Sequence, residues 1–283
     1  MSQITFFDGA KPFVIDKPVR LIELFAGIGA QAKALTNLGV EYEHHFACEF
    51  DKYAVCSYNA IHGTNFKPSD IREIHAADLG ITDTDKYCYI MTYSFPCQDL
   101  SKAGKQKGMA KGGSTRSGLL WEVERLLDEC EELPQVLLME NVPDVVGTKN
   151  MQHFAEWLAK LESLGYYNNW QIINAKDCGI PQNRERCFMV SLLGDYYYEF
   201  PEPIPLELRL KDVLEDKVDE SYYLNDAQVE TILNSTFNTT ANRIYDAGGA
   251  VGTLCARDYK DPKCVRLSEP PAGEVLTDIR GIW

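Results

Sequence analysis

Along the first two hundred residues the apolar positions switch repeatedly between a strand-like and a helix-like period. Val19-Arg20-Leu21-Ile22-Glu23-Leu24-Phe25 is a short run dominated by branched and apolar side chains, which predicts a buried strand. Ala30 to Leu38 follows helical spacing, and Gly39 stops it. The alternation then recurs: a strand His44–Cys48, a helix from Asp51 to about Ile61, and a strand Tyr87–Tyr93 that Pro96 breaks. A helix Leu119–Cys130, a strand Gln135–Glu140 and a helix from about Asn150 to Leu164 follow. Two more strands, near Asn169–Asn174 and Cys187–Leu193, flank the turn Cys178-Gly179-Ile180-Pro181. Strand and helix alternating over 19–194 predict an α/β open sheet.

Past Pro201-Glu202-Pro203-Ile204-Pro205 the pattern changes. Residues 206–240 read as one or two polar helical segments, and 241–283 as turns with short strands. The expected division is 1–200 as one domain and 201–283 as a smaller, partial one.

Composition narrows the classes. The chain has 283 residues, an apolar fraction of 45% and a net charge of −14, which suits a globular protein and argues against one that coats nucleic acid non-specifically. The N-terminal stretch lacks the basic region and apolar run of a secretory signal, and nothing approaches a membrane span, so the expectation is a cytoplasmic protein. The nine cysteines form no C-x-x-C pair and the five histidines no H-E-x-x-H, so no metal site is expected.

Candidate chemistry gathers at strand ends. Phe25-Ala26-Gly27-Ile28-Gly29, between a strand and a helix, is the form of a nucleotide-type cofactor loop. Glu49 ends the next strand, where a carboxylate binds two ribose hydroxyls, and Asp70-Ile71 follows a further turn suited to an adenine amino group. Ala32 leaves the dinucleotide motif incomplete, which favours S-adenosylmethionine over NAD. A Gly-rich turn of any α/β fold would read the same way on its own.

Ser94-Phe95-Pro96-Cys97-Gln98 follows a strand, where open sheets place reactive groups. Lys102, Lys105, Lys107, Lys111 and Arg116 then stand against the single acid Asp99, a local basic excess suited to phosphate contacts from a flap over 98–117. Glu140-Asn141-Val142 closes the following strand. Gln182-x-Arg184-x-Arg186 alternates, so an extended backbone would turn both guanidinium groups to one face. Each feature also has a plain structural reading: a packing cysteine, a solvated loop, a capping acid, surface ion pairs.

Taken together and in this order, these pieces resemble the DNA (cytosine-5)-methyltransferase family. Pro96-Cys97-Gln98, Arg116-Ser117-Gly118, Glu140-Asn141-Val142 and Gln182-x-Arg184-x-Arg186 carry the resemblance, which covers about residues 19–194. It implies a Rossmann-like, S-adenosylmethionine-dependent methyltransferase domain with a seven-stranded mixed sheet, and a small domain for target recognition. It implies double-stranded DNA as substrate, with Cys97, Glu140, Arg184 and Arg186 catalytic. Phe25, Ala26, Gly27, Ile28, Gly29, Glu49, Phe50, Asp70, Ile71, Pro96 and Leu120 would surround the cofactor. Gln98, Ser101, Lys105, Arg116, Asn141 and Gln182 would meet the substrate.

Relatives in the family end with a segment bearing a Gly-Asn motif that completes the cofactor pocket, and residues 265–283 do not resemble it. Gly252-Thr253-Leu254 resembles the run beside the recognition domain. A second chain supplying the missing segment, a shortened product and a compact variant remain open, as does a non-catalytic regulatory relative. A tRNA methyltransferase of the same fold is less favoured, because the Cys-Phe-Thr signature of those relatives is absent.

Overall fold

In the computed structural model, described over residues 11–100, 108–112, 115–234, 244–255, 258, 263–267 and 279–282, each strong apolar run becomes one element. The strands are β1 (Val19–Leu24), β2 (Tyr42–Cys48), β3 (Cys88–Tyr93), β4 (Val136–Asn141), β5 (Tyr166–Asn174) and β6 (Glu185–Leu193). The main helices between them are α1 (Ala30–Asn37), α2 (Lys52–His62), α3 (Leu120–Glu129) and α4 (Met151–Ser163). Asp51 sets the start of α2 by accepting the Tyr53 N–H (2.7 Å), and Gly63 ends it in a left-handed conformation.

The sheet order is β2-β1-β3-β4-β6-β5. β2, β1, β3 and β4 run parallel, and β6 lies antiparallel to β4. The resemblance implies seven strands; six form this sheet among the described residues.

Strand alternation divides the core between two faces. Ile22, Leu24, Met91, Tyr93, Leu137 and Met139 pack with Leu120, Val123 and Leu127 of α3 and with Phe154, Trp157 and Leu161 of α4. Trp157 donates its indole N–H to the Tyr93 hydroxyl (3.1 Å), so the largest buried ring is also satisfied. On the opposite face Val19, Leu21 and Ile90 pack with Ala32 of α1. The result is helices on both sides of a mixed α/β sheet.

The chain forms two compact units: Met1–Ile172 with Arg186–Phe200, and Ile173–Glu185 with Pro201–Trp283. The second unit therefore takes in 173–185, a segment the sequence pattern assigned to the first. Its three-stranded sheet has Lys263–Arg266 between Ile244–Asp246 and Ile279–Ile282. One helix, α5 (Asp226–Leu233), buries Val229 against Cys264. Lys263 is 1% exposed and is neutralised by Asp258 at 2.6 Å. Among the described residues no helix is long and apolar enough to cross a membrane.

Candidate active site

Register alone assembles a row of functional residues. Leu24 pairs with both Cys48 and Tyr93, and Tyr93 pairs with Met139. The next residue on each of these four parallel strands is Glu49, Phe25, Ser94 and Glu140. They lie side by side at the carboxyl edge, where open α/β sheets place their ligands. Neighbouring strands are about 4.8 Å apart, so β3 and β4 bring their edge groups within side-chain reach.

The glycine loop follows β1, an inner strand of the row. Phe25, Gly27 and Gly29 all have positive φ (58°, 56° and 81°), so the backbone reverses sharply before α1. The Gly27 N–H donates to Glu49 (2.9 Å) and the Asp51 N–H to the other Glu49 oxygen (2.8 Å). A carboxylate has about four lone-pair sites, so two remain for hydroxyls. A Cβ at Gly27 would meet nothing within 4 Å. Ile28 and Phe50 present exposed apolar surface, 54% and 74%. The Asp70 carboxylate accepts the Arg72 guanidinium and N–H, which lowers its pKa from the ordinary value. Ile71, by contrast, is buried in the core.

Gly29 is required for a different reason. A Cβ there would collide with the His62 imidazole and come within 2.7 Å of the Tyr58 ring. Behind this contact the wholly buried Glu23 accepts the Tyr58 hydroxyl and the Ala32 N–H, and burial raises its pKa. A raised carboxyl pKa means the folded state binds the proton better than the unfolded one. The contribution of Glu23 to stability is then complete at acid pH and is lost as pH rises from the ordinary carboxylate range through the raised folded value. Glu23→Gln should flatten that decline, read as urea midpoints across a pH series; equal slopes in both proteins would count against it.

The cysteine follows the adjacent strand, β3. Asn141, 2% exposed, donates from Nδ2 to the Phe95 carbonyl (3.0 Å), tying the end of β4 to the segment before Cys97. Its Oδ1 accepts the Val142 N–H (2.9 Å), so this side chain bridges two backbone groups. Wholly buried Ser117 donates to the Pro96 carbonyl (2.6 Å). Gln31 at the start of α1 donates to Ser94 Oγ (2.9 Å), linking the glycine loop to the cysteine strand. Cys97 is partly exposed. Burial instead pushes the thiols of Cys88 and Cys130 up to about 11 and that of Cys187 to about 12, so those three stay protonated.

Glu140 and Arg186 form an ion pair at 2.8 Å, with side chains 24% and 16% exposed. Arg186 lies in the first unit. Gln182 and Arg184 lie in the second, so the alternating motif is divided between the two. There, Gln182–Asn183 pairs in parallel with Val251–Gly252, and the Arg184 backbone is held by Asn174 Oδ1 (3.0 Å) and the Ala175 N–H (2.9 Å).

Three of the residues singled out by the sequence, Leu120, Lys111 and Arg116, have contacts of their own within the protein. Leu120 is wholly buried beneath the sheet, and Leu119, one residue earlier, is the partly exposed one. Lys111 is paired with Glu124 (2.6 Å) and lies over Trp121, and the Arg116 guanidinium donates to Gln98, so both cations of the basic loop that are described already have protein partners. Ser101, Lys102, Lys105 and Lys107 lie outside the described residues. Sequence reasoning placed Ser117 in a motif without giving it a role, and it missed Gln31, Tyr58 and His62. Nothing in the local pattern distinguishes them, because their contacts are long-range.

The family model for C-5 cytosine-specific DNA methylases matches residues 19–265. The chain belongs to that family. It is 34% identical over 259 residues to the type II methyltransferase M2.ScrFI of Lactococcus lactis subsp. cremoris, covering 75% of this chain and 71% of that protein. It is 38% identical over 264 residues to the orphan methyltransferase M.SssI of Spiroplasma monobiae, covering 74% and 68%. Its fold is similar to the S. pombe Dnmt2 methyltransferase (TM-score 0.72, 20% identity, 94% of this chain and 83% of that one). It is also similar to the Entamoeba histolytica methyltransferase EhMeth (TM-score 0.74, 19% identity, 94% of this chain and 83% of that one). The methyl donor of this methylase family is S-adenosyl-L-methionine, and the donor set at Glu49, the open face at Gly27 and the exposed Phe50 ring fit it. Among the described residues no three His, Cys, Asp or Glu side chains converge as a metal site.

Proposed function

We propose that this methylase transfers a methyl group to carbon 5 of a cytosine in double-stranded DNA, with Cys97 as nucleophile and Glu140 as acid. The observation that carries the reading is the edge row, which sets the Cys97 segment next to Glu140 with the glycine loop alongside. Glu49 would hold the two ribose hydroxyls of S-adenosyl-L-methionine, Phe25, Phe50 and Leu119 its apolar surfaces, and Asp70 the adenine amino group. When bound, that cofactor supplies a methyl group activated by a sulfonium centre.

Carbon 5 of cytosine is a poor nucleophile until the ring is attacked at carbon 6. The Cys97 thiolate forms a sulfur–carbon 6 bond, and the ring electrons move toward nitrogen 3. Glu140 delivers a proton or a strong hydrogen bond there, so the incoming charge is neutralised. Arg186, already on Glu140, keeps that carboxyl aimed. After carbon 5 is methylated, its proton passes to water, the freed electron pair re-forms the carbon 5–carbon 6 double bond, and the sulfur–carbon 6 pair leaves with Cys97 as thiolate, which restores the aromatic ring. A stacked base cannot meet the sulfur, so the target would leave the duplex at a cost of roughly a few kcal/mol.

The test is incubation with labelled cofactor and a mixed DNA pool, tRNA serving as the comparison substrate, followed by bisulfite mapping. Label in DNA at defined cytosines is expected. Label in tRNA alone, or on adenine, would remove this reading.

A further inference from the structure

Asp99 is the lone acid in a basic stretch, yet it is 8% exposed and turned inward. Its Oδ2 accepts the Arg116 N–H (2.8 Å), and its carbonyl accepts the Gly108 N–H (3.0 Å). One residue therefore closes two nested loops, 99–108 and 99–116. The turn it holds delivers two donors to the neighbours of Cys97. Ser117 Oγ reaches the Pro96 carbonyl on one side, and the Arg116 guanidinium reaches Gln98 Oε1 on the other.

We propose that Asp99 is a positioning residue for the Cys97 nucleophile, acting through the Arg116-Ser117 turn. The inference rests on reading Cys97 as the nucleophile. Its physical basis is the peptide plane between residues 96 and 97. A hydrogen bond to the Pro96 carbonyl fixes that plane, and with it the direction in which the Cys97 Cα–Cβ bond leaves the chain. Misplacing a reacting atom by about 1 Å costs on the order of a hundredfold in rate. Asparagine at 99 retains an acceptor oxygen for the Arg116 N–H, whereas alanine leaves that donor without its partner.

The test compares Asp99→Ala, Asp99→Asn and Ser117→Ala in the full chain. Asp99→Ala should speed exchange of the Arg116 amide at least tenfold and lower kcat at least tenfold, with the Kd for S-adenosyl-L-methionine within twofold of the native value. Asp99→Asn should recover most of kcat, and Ser117→Ala should lower kcat in the same sense. A native Arg116 exchange rate in Asp99→Ala overturns the proposal. So does faster exchange with kcat of the folded protein unchanged. If Asp99→Ala does not fold, Ser117→Ala decides by the same split between kcat and cofactor affinity. If the native chain transfers no methyl group, the functional reading fails by itself. Iodoacetamide labelling of Cys97, resolved by mass spectrometry, then judges the clamp. A rate changed at least threefold by Asp99→Ala supports it, and an equal rate overturns it.

Discussion

Cys97→Ala is expected to lower methyl transfer by about four orders of magnitude or more, the scale on which removing a covalent nucleophile acts, while leaving cofactor affinity within about twofold. The separation follows from the edge row: Cys97 follows β3 and is tied to β4 through Phe95 and Asn141, whereas Glu49 is fixed by the Gly27 and Asp51 amides. Alanine is smaller than cysteine at a partly exposed position, so the fold should persist. Titration of S-adenosyl-L-methionine against the variant, beside a methyl-incorporation assay, measures both halves. Parallel loss of binding and transfer would mean that Cys97 packs the cofactor pocket and does not attack the base.

Glu140→Gln should reduce kcat by roughly a hundredfold or more, within the range general acid–base groups contribute. Glutamine keeps an oxygen for the Arg186 guanidinium, which the carboxylate now meets at 2.8 Å. It can donate a hydrogen bond to nitrogen 3 but cannot surrender a proton. DNA affinity should therefore change less than turnover. Alanine at 140 is the harsher change, since it leaves the Arg186 charge partly buried with this partner gone, which is strongly destabilising when ion pairs are broken from one side. Single-turnover rates against DNA Kd values distinguish the two effects; a glutamine variant with native turnover would show that Glu140 only orients Arg186.

The apolar runs made the parallel strands legible, and with them the edge on which Phe25, Glu49, Cys97 and Glu140 collect. That step needs only strand ends and their direction. What escaped were contacts between residues remote in sequence. The His62 and Tyr58 rings fill the space over Gly29 from a helix some thirty positions later, and no local spacing announces it. Leu119 and Leu120 are equally apolar, so only the observed helix phase decides which one enters the core. The alternating Gln182-x-Arg184-x-Arg186 run gave no sign that a unit boundary falls within it. Asp99 was visible as the odd acid among lysines, but its burial came from the turn folding back on it.

The carbonyls of Phe95 and Pro96 are both held by buried side chains. With the main chain leading into position 97 fixed in this way, the chief adjustable coordinate left to the sulfur is rotation about its own Cα–Cβ bond. That torsion has three staggered settings. An approaching pyrimidine thus faces a short menu of sulfur locations, and fine adjustment of the attack trajectory falls to the nucleotide's sugar and backbone torsions.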